Sequence, residues 1–367
     1  MKILLVNTVK TGKNGITNVM FNYLNAIECD DITFDLVSLN EPEDYYTKCV
    51  EKKGGKVYVI PRLGGNILSY WNSLKKLINE NRYDAVHVHG NSHTVTIELS
   101  AAWAASCAVR MAHAHNTTCK HVSVHKLLTP LFNLLCTHGF ACGEAAGTFM
   151  FGRKTFAVIN NGVDTNKFAF NPVLREKKRG DLGWDDCIVV GHVGYFSEVK
   201  NHRFLIEVFE QLYLKDDHFR LLLVGDGALR NEMEEKIKGK GLKDKVVLTG
   251  NIDNVHEYLN AMDIVIMPSL YEGLPLTLIE QQANGLPCVV ADTITREVDK
   301  TGNVTFLSLS QSAKQWAGET LTVMEHGDSR QKRSNAAIEK IKDSGYSIKE
   351  EAQKLEHYYK TIERKKK

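Results

Sequence analysis

Short runs of consecutive apolar residues recur along this chain. Each leads into a polar, often glycine-bearing loop, and then into a stretch whose apolar residues return every three or four positions. Residues 3–6 (Ile-Leu-Leu-Val) form the first run, unbroken by polar residues, as expected of a strand buried on both faces. Lys10-Thr-Gly-Lys-Asn-Gly15 follows as a loop, and Ile16, Val19, Met20, Tyr23, Leu24 and Ile27 mark one face of a helix over 16–27. Further strands are expected at 33–37, 56–60, 84–88, 109–113 and 156–159. The alternation lapses and then restarts: strand 188–193, helix 202–213, strand 221–224, helix 229–237, strand 246–248, helix 255–261 and strand 264–267. A helix from Pro275 to Gly285 comes next, then 287–291 and 304–307, and helical patterns to the end. Such repeats predict parallel, doubly wound sheets that take ligands at the carboxyl ends of their strands.

The lapse runs from 160 to 186, where Asn, Gly and Pro accompany a basic run (Arg175, Lys177, Lys178, Arg179), and it marks a domain boundary. A chain of 367 residues can build two full cores. Two Rossmann-like α/β domains facing a cleft are therefore expected. Composition adds mainly exclusions. With 43% hydrophobic and 25% charged residues and a formal net charge of +2, the chain is neither disordered nor a dedicated nucleic-acid binder. Its eight cysteines are scattered without a C-x-x-C pair, which suits thiols in a reducing compartment and argues against zinc. The N-terminal apolar run is too short for a signal peptide. The Ala-rich window 99–109 falls short of the roughly 20 residues a spanning helix needs. A cytoplasmic protein is expected.

Chemistry concentrates at Pro268-Ser-Leu-Tyr-Glu-Gly-Leu-Pro-Leu-Thr-Leu-Ile-Glu280. Glu272 and Glu280 flank a helix start, whose free N–H groups and dipole favour an anion. A ligand with phosphate in the middle and hydroxyls at both ends, such as a nucleotide sugar, fits that layout. The alternative is a capping box between Thr277 and Glu280, with Glu272 a solvated loop acid. Gly194 and Lys200 follow the strand 188–193, where Lys200 either reaches a phosphate or is a surface lysine. Val224-Gly-Asp-Gly227 mimics a dinucleotide fingerprint, but Arg230 replaces its third glycine, so tight-turn glycines are the better account. Histidines gather at strand ends (His87, His89, His93, His113, His115). Alternation puts His113 and His115 on one face, as buried packing, as metal ligands, or as a cleft imidazole contacting a substrate hydroxyl. Without accompanying carboxylates, no metal is expected. Between 101 and 170 six Lys/Arg stand against two Asp/Glu, beside an apolar stretch at 127–135. This is either an anionic-membrane contact or a core helix with solvated lysines.

Glu272-x7-Glu280 with Gly273, Asn161-Gly-Val-Asp164, Val224-Gly-Asp-Gly227 and Gly285-Leu-Pro-Cys-Val-Val-Ala291 resembles the family-4 retaining glycosyltransferases of GT-B fold. The resemblance covers nearly the whole chain and is strongest over 160–309. The run 191–202, with Glu297-Val-Asp-x-x-x-Asn-Val304, is most similar to bacterial capsule and exopolysaccharide glycosyltransferases. It implies an acceptor-binding domain over 1–168, a nucleotide-sugar domain over 169–345, and a C-terminal helix with a basic tail (346–367) crossing back onto the first domain. The implied activity moves a hexosyl unit, with retention, from a nucleoside diphosphate sugar (UDP favoured) to a hydroxyl of a lipid-linked bacterial surface polysaccharide intermediate. It would work at the inner face of the cell membrane, with no metal and no cofactor.

Among implied roles, Glu272 holds donor-sugar hydroxyls, and Gly273, Leu274, Leu276 and Thr277 serve the sugar and diphosphate. Glu280 accepts from ribose hydroxyls, Gly194 and Lys200 serve the diphosphate, and Gly250, Asn251 and Ile252 meet the base. Gly15 admits the donor from the opposite wall, and His115 sits near the reacting centre. One position departs from the family: Tyr195 stands where its members usually carry arginine. Arg203, Arg230 and Arg296 are candidate replacements. Two alternatives remain, a catalytically inactive nucleotide-sugar-binding subunit of a polysaccharide assembly complex, and a GT-B sugar-nucleotide epimerase.

Overall fold

The computed structural model of the chain describes residues 1–62, 66–325 and 328–366. It divides into two compact units, Met1–Gly162 with Ile348–Lys367, and Val163–Ser347. From sequence the divisions are expected at 168 and 345.

Seven parallel strands form the sheet of the first unit: β1 (Lys2–Asn7), β2 (Thr33–Ser38), β3 (Val57–Val59), β4 (Ala85–Gly90), β5 (Val109–Ala114), β6 (His138–Ala141) and β7 (Ala157–Val158), in the order β3-β2-β1-β4-β5-β6-β7. The strands at its centre are covered on both faces, so Ile3, Leu4, Val6, Val86 and Val88 are fully buried. Asn14 caps the helix Gly15–Ala26 by accepting the Thr17 N–H. β6 has no sequence signal, since His138-Gly-Phe-Ala holds one large apolar residue. It forms because β5 and β7 offer a backbone ladder on either side. The C-terminal helix Ile348–Lys366 belongs to this unit. Its Tyr359 is buried, packs on Phe34 and meets His87 Nδ1 at 2.7 Å, while Glu351 accepts the Asn160 N–H. The side chains of the basic tail lie outside the described residues.

The second unit has six parallel strands: β8 (Ile188–Val193), β9 (Phe219–Val224), β10 (Val246–Leu248), β11 (Ile264–Met267), β12 (Cys288–Ala291) and β13 (Val304–Leu307), in the order β10-β9-β8-β11-β12-β13. The order reverses between β8 and β11, so their following loops leave the same sheet edge side by side.

The expected lapse at 160–186 contains a helix, Pro172–Leu182, with Pro172 in its first turn, an Asn171 cap and a left-handed Gly183 after its end. Its inward face carries Lys178 and Arg179, which hides its period from a hydrophobicity pattern. Arg175 and Arg179 both grip Asp263 beside the start of β11, and Asp263 also accepts the Val189 N–H at 2.8 Å. Among the described residues no helix is long and apolar enough to cross a membrane. All eight cysteines are free thiols.

Replacing Asp263 leaves two partly buried guanidinium groups facing each other. Asp263→Ala is expected to lose about 3 kcal/mol of stability. Lys332→Ala, which breaks an exposed pair with Asp328, should change stability by less than about 0.5 kcal/mol. Urea unfolding followed by tryptophan fluorescence checks both.

Candidate active site

The loop after β8 is held down by glycines of the neighbouring turn. Gly194 N–H donates to the Val224 carbonyl at 3.0 Å and Phe196 N–H to the Asp226 carbonyl at 2.9 Å. A Cβ on Gly225 would stand 2.2 Å from the Gly194 oxygen, and one on Gly227 would stand 2.5 Å from the Phe196 nitrogen. Val224-Gly-Asp-Gly227 is therefore a close-approach turn, which leaves room for the β8 loop.

Two hydrogen bonds then stitch this loop to the one after β11. Asn201, in the left-handed region at φ 53°, donates its Nδ2 to the Pro268 carbonyl at 3.1 Å. Leu270 N–H donates to the Val199 carbonyl at 2.8 Å. The stitching sets Lys200 against Glu272, with Nζ and Oε1 2.6 Å apart and side chains 18% and 13% exposed.

Past Glu272 the chain enters the helix Leu276–Ala283, with Pro275 at the N-cap and no side-chain cap. Thr277 lies inside the helix, so the capping-box alternative does not hold. Among the described residues, no acceptor takes the N–H groups of Gly273, Leu274, Leu276 and Thr277. Unfilled donors and the positive end of the dipole thus face the region beside Lys200. Glu280, a turn further on, is half-buried. Loss of hydration pushes its carboxyl up to about 8, against the opposing pull of Lys167. No hydrogen bond or ion pair holds that carboxyl among the described residues.

Beneath this arrangement lie two histidines that the sequence reading left out. His192 Nδ1 bonds the Ile266 carbonyl at 2.9 Å, and His202 meets the His192 ring edge-on at 4.7 Å. Burial lowers them to about 4 and about 2, with the Lys200 charge adding to the effect. Both imidazoles are therefore neutral near pH 7, and the positive charge at this spot is that of Lys200. The available signal was position: His192 stands two residues before Gly194, and His202 two after Lys200.

The other expected donor residues are placed as follows. Tyr195 is 59% exposed on the β8 loop. Gly250 has φ +71° and bridges Gly225; Asn251 is exposed, while Ile252, Leu274 and Leu276 pack partly onto the core. The three candidate replacements for arginine are held elsewhere. Arg203 binds Glu198 and Glu232, Arg230 binds Asp226 and Glu234, and Arg296 lies over the Phe306 ring.

Gly15 and His115 belong to the first unit. Gly15 opens its helix, with nothing within 4 Å of a Cβ added there. His115, just past β5, turns its ring inward: Nε2 lies 2.9 Å from His89 Nδ1, and its own Nδ1 is buried without a partner. Burial lowers it to about 4.

Residues 187–326 match the family model described as glycosyl transferases group 1. The chain is 34% identical over 324 residues to EpsF of Bacillus subtilis (strain 168), which carries a glycosyltransferase name, covering 83% of each chain. It is 28% identical over 258 residues to the UDP-Gal:alpha-D-GlcNAc-diphosphoundecaprenol alpha-1,3-galactosyltransferase of Escherichia coli, covering 65% of this chain and 66% of that one. Among solved structures, Anabaena Alr3699/HepE in complex with UDP superposes with a TM-score of 0.78 at 19% identity, over 98% of this chain and 100% of that one. The fold, two parallel-sheet Rossmann-like domains, is that of GT-B glycosyltransferases. By the length and identity it shares with EpsF, and by the matched family model, this chain belongs to the group 1 glycosyltransferases.

Proposed function

We propose that this glycosyltransferase moves a hexosyl unit, with retention of anomeric configuration, from a UDP-sugar to a hydroxyl of a lipid-linked surface-polysaccharide intermediate. The observation that carries the reading is the cluster of Lys200, Glu272 and the unfilled amides that open the helix Leu276–Ala283. A diphosphate brought to those amides competes with Glu272 for Lys200. As the bond from the anomeric carbon to the β-phosphate oxygen breaks, charge gathers on that phosphate, where the amides and Lys200 stabilise it without a metal ion. Glu272, released from Lys200, accepts from donor-sugar hydroxyls, and Glu280 accepts from the ribose. The departing phosphate takes the proton of the acceptor hydroxyl, and attack from the same face keeps the configuration. His115 joins such chemistry only if its ring turns outward.

The E. coli relative is named for UDP-Gal and a diphosphoundecaprenol acceptor, and the Anabaena structure holds UDP. These names favour uridine and a lipid-linked acceptor. The helix Val122–Leu135 supports a membrane contact, because Val124, Leu127, Leu131 and Leu134 are exposed at helical spacing. Exposed Lys120, Lys126, Arg153 and Lys154 occur in and around it, which suits an anionic lipid surface. A second reading, a nucleotide-sugar-binding subunit without transfer, is favoured by Tyr195 alone. Binding without transfer, with transfer appearing in Tyr195→Arg, would establish it.

Lys200→Ala is expected to lower kcat/KM roughly ten- to a hundredfold, the worth of one charge-assisted hydrogen bond. Glu280→Ala should weaken UDP binding in thermal-shift assays against UDP, GDP and ADP. If neither substitution alters binding or turnover, the site is elsewhere. Product anomeric configuration, read by NMR, tests retention.

The raised carboxyl of Glu280 has a pH signature in the unliganded protein. Its folded value of about 8 exceeds the ordinary 4.5, so the folded chain holds the extra proton between them and loses stability as pH climbs through that window. Glu280→Gln removes this loss. The variant should melt several degrees above wild type at alkaline pH, with the gap closing as pH falls to the ordinary carboxylate value. A gap independent of pH would mean that Glu280 is hydrated. Leu127→Glu with Leu134→Glu should abolish co-sedimentation with anionic vesicles while leaving the melting temperature unchanged.

A further inference from the structure

Four histidines of the first unit share one face of its sheet. His87 and His89 stand two residues apart on β4, His113 is the ladder partner of His89 on β5, and His115 follows two residues later. His87, His89 and His113 are 0%, 3% and 0% exposed. Each offers a ring nitrogen within 4.8 Å of the other two. His87 Nε2, both nitrogens of His113 and His115 Nδ1 are buried with no hydrogen-bond partner among the described residues. A buried polar atom left unpaired is costly, and four in one place need an explanation that packing does not supply.

We propose that His87, His89 and His113 form a site for a zinc-type divalent cation, seated beside the C-terminal helix. Three neutral imidazoles are a ligand set zinc accepts, with water in the fourth position. That set requires no carboxylate, so the lack of nearby acids, which from sequence argued against a metal, does not exclude this one.

The surroundings resemble the support that metal-bound histidines need. Tyr359 OH lies 2.7 Å from His87 Nδ1, and His115 Nε2 lies 2.9 Å from His89 Nδ1. If each Nδ1 donates in those contacts, the Nε2 of His87 and of His89 is left for the metal. Phe140 packs against His87, and Phe34 against Tyr359. His115 is half-buried, while the three proposed ligands are buried. The three rings lie 5° to 29° from parallel, so their lone pairs run side by side. Rotation about the broad terminal torsion of histidine turns them toward one point. Bonds of about 2.0–2.1 Å then draw the nitrogens to about 3.3 Å from one another.

This site is independent of the donor chemistry proposed above, and its test reads metal rather than turnover. Full-length protein is purified without chelator or a metal-affinity tag and equilibrated with zinc chloride. Elemental analysis should find stoichiometric zinc, and cobalt-loaded protein should show the intense visible absorption of a four-coordinate centre. His87→Gln with His113→Gln should lose both signals and the zinc-dependent rise in melting temperature. His218→Ala, in the exposed Asp216–Asp217–His218 group, should keep them and controls for surface binding. Circular dichroism checks that the variants fold. If they do not, zinc content and the cobalt spectrum of the unaltered protein decide. Absence of stoichiometric zinc, a weak six-coordinate cobalt spectrum, or zinc retained by the folded double variant would overturn the proposal.

Discussion

The reversal of strand order between β8 and β11 is the constraint from which the proposed donor site of this glycosyltransferase follows. Lys200 and Glu272 are 72 residues apart in sequence, yet their atoms meet at 2.6 Å. Neither loop achieves that alone. Parallel pairing of Ile264 with Val190 and of Val265 with Gly191 fixes where β11 ends relative to β8. Glycines at 225 and 227 then let the β8 loop lie close against its other neighbour, and Asn201 and Leu270 tie it to the β11 loop. The register of the sheet thus becomes the geometry of an ion pair.

That pair has an unusual floor. Positive charges over a buried layer are often balanced by carboxylates, but beneath Lys200 lie His192 and His202, both held neutral by burial. A carboxylate there would compete with any incoming phosphate for the lysine. Neutral rings do not, so Glu272 is the partner a ligand must displace. The same logic extends to the amides of the adjoining helix. With Pro275 as a cap that offers no side-chain acceptor, those N–H groups have no acceptor among the described residues, and in the proposed function an anion fills them. Glu280 completes the arrangement from the other side. Its carboxyl is reluctant to ionise without a partner, and ligand hydroxyls would supply one.

Much of this is legible in the residues before any coordinates. Unbroken apolar runs such as Ile264–Met267 show themselves as buried strands, and Glu272, Glu280 and Lys200 are marked by their spacing around Gly194 and Pro275. β6 is not legible, because its ladder comes from β5 and β7 and not from its own side chains. The basic helix Pro172–Leu182 is not legible either. Its inward residues are Lys178 and Arg179, and their partners Glu257 and Asp263 lie far along the chain. His113 and His115 can be assigned to one face by alternation. The inward turn of the His115 ring cannot, since it depends on His89 from the neighbouring strand.

Tyr195 makes the reliance on main-chain groups sharper. Arginine there would bring a second cation and a forked donor to the phosphate side. With tyrosine in its place, and with Arg203, Arg230 and Arg296 each held in contacts of their own, the charge beside the helix start is that of Lys200. In the unliganded chain that ammonium is paired with Glu272, so its net field is small until a ligand displaces the carboxylate. In the proposed function the amide dipoles share the holding of a diphosphate with Lys200, and fixed dipoles need no reorganisation as charge develops. Such a site gains from exclusion of water more than one built on several mobile cations, because amide dipoles act strongly only where the local dielectric is low. On this argument Tyr195 trades charge for an apolar wall. With Leu270 and Tyr271 it presents exposed apolar surface on the two stitched loops, and such surface would shed water if a ligand covered it.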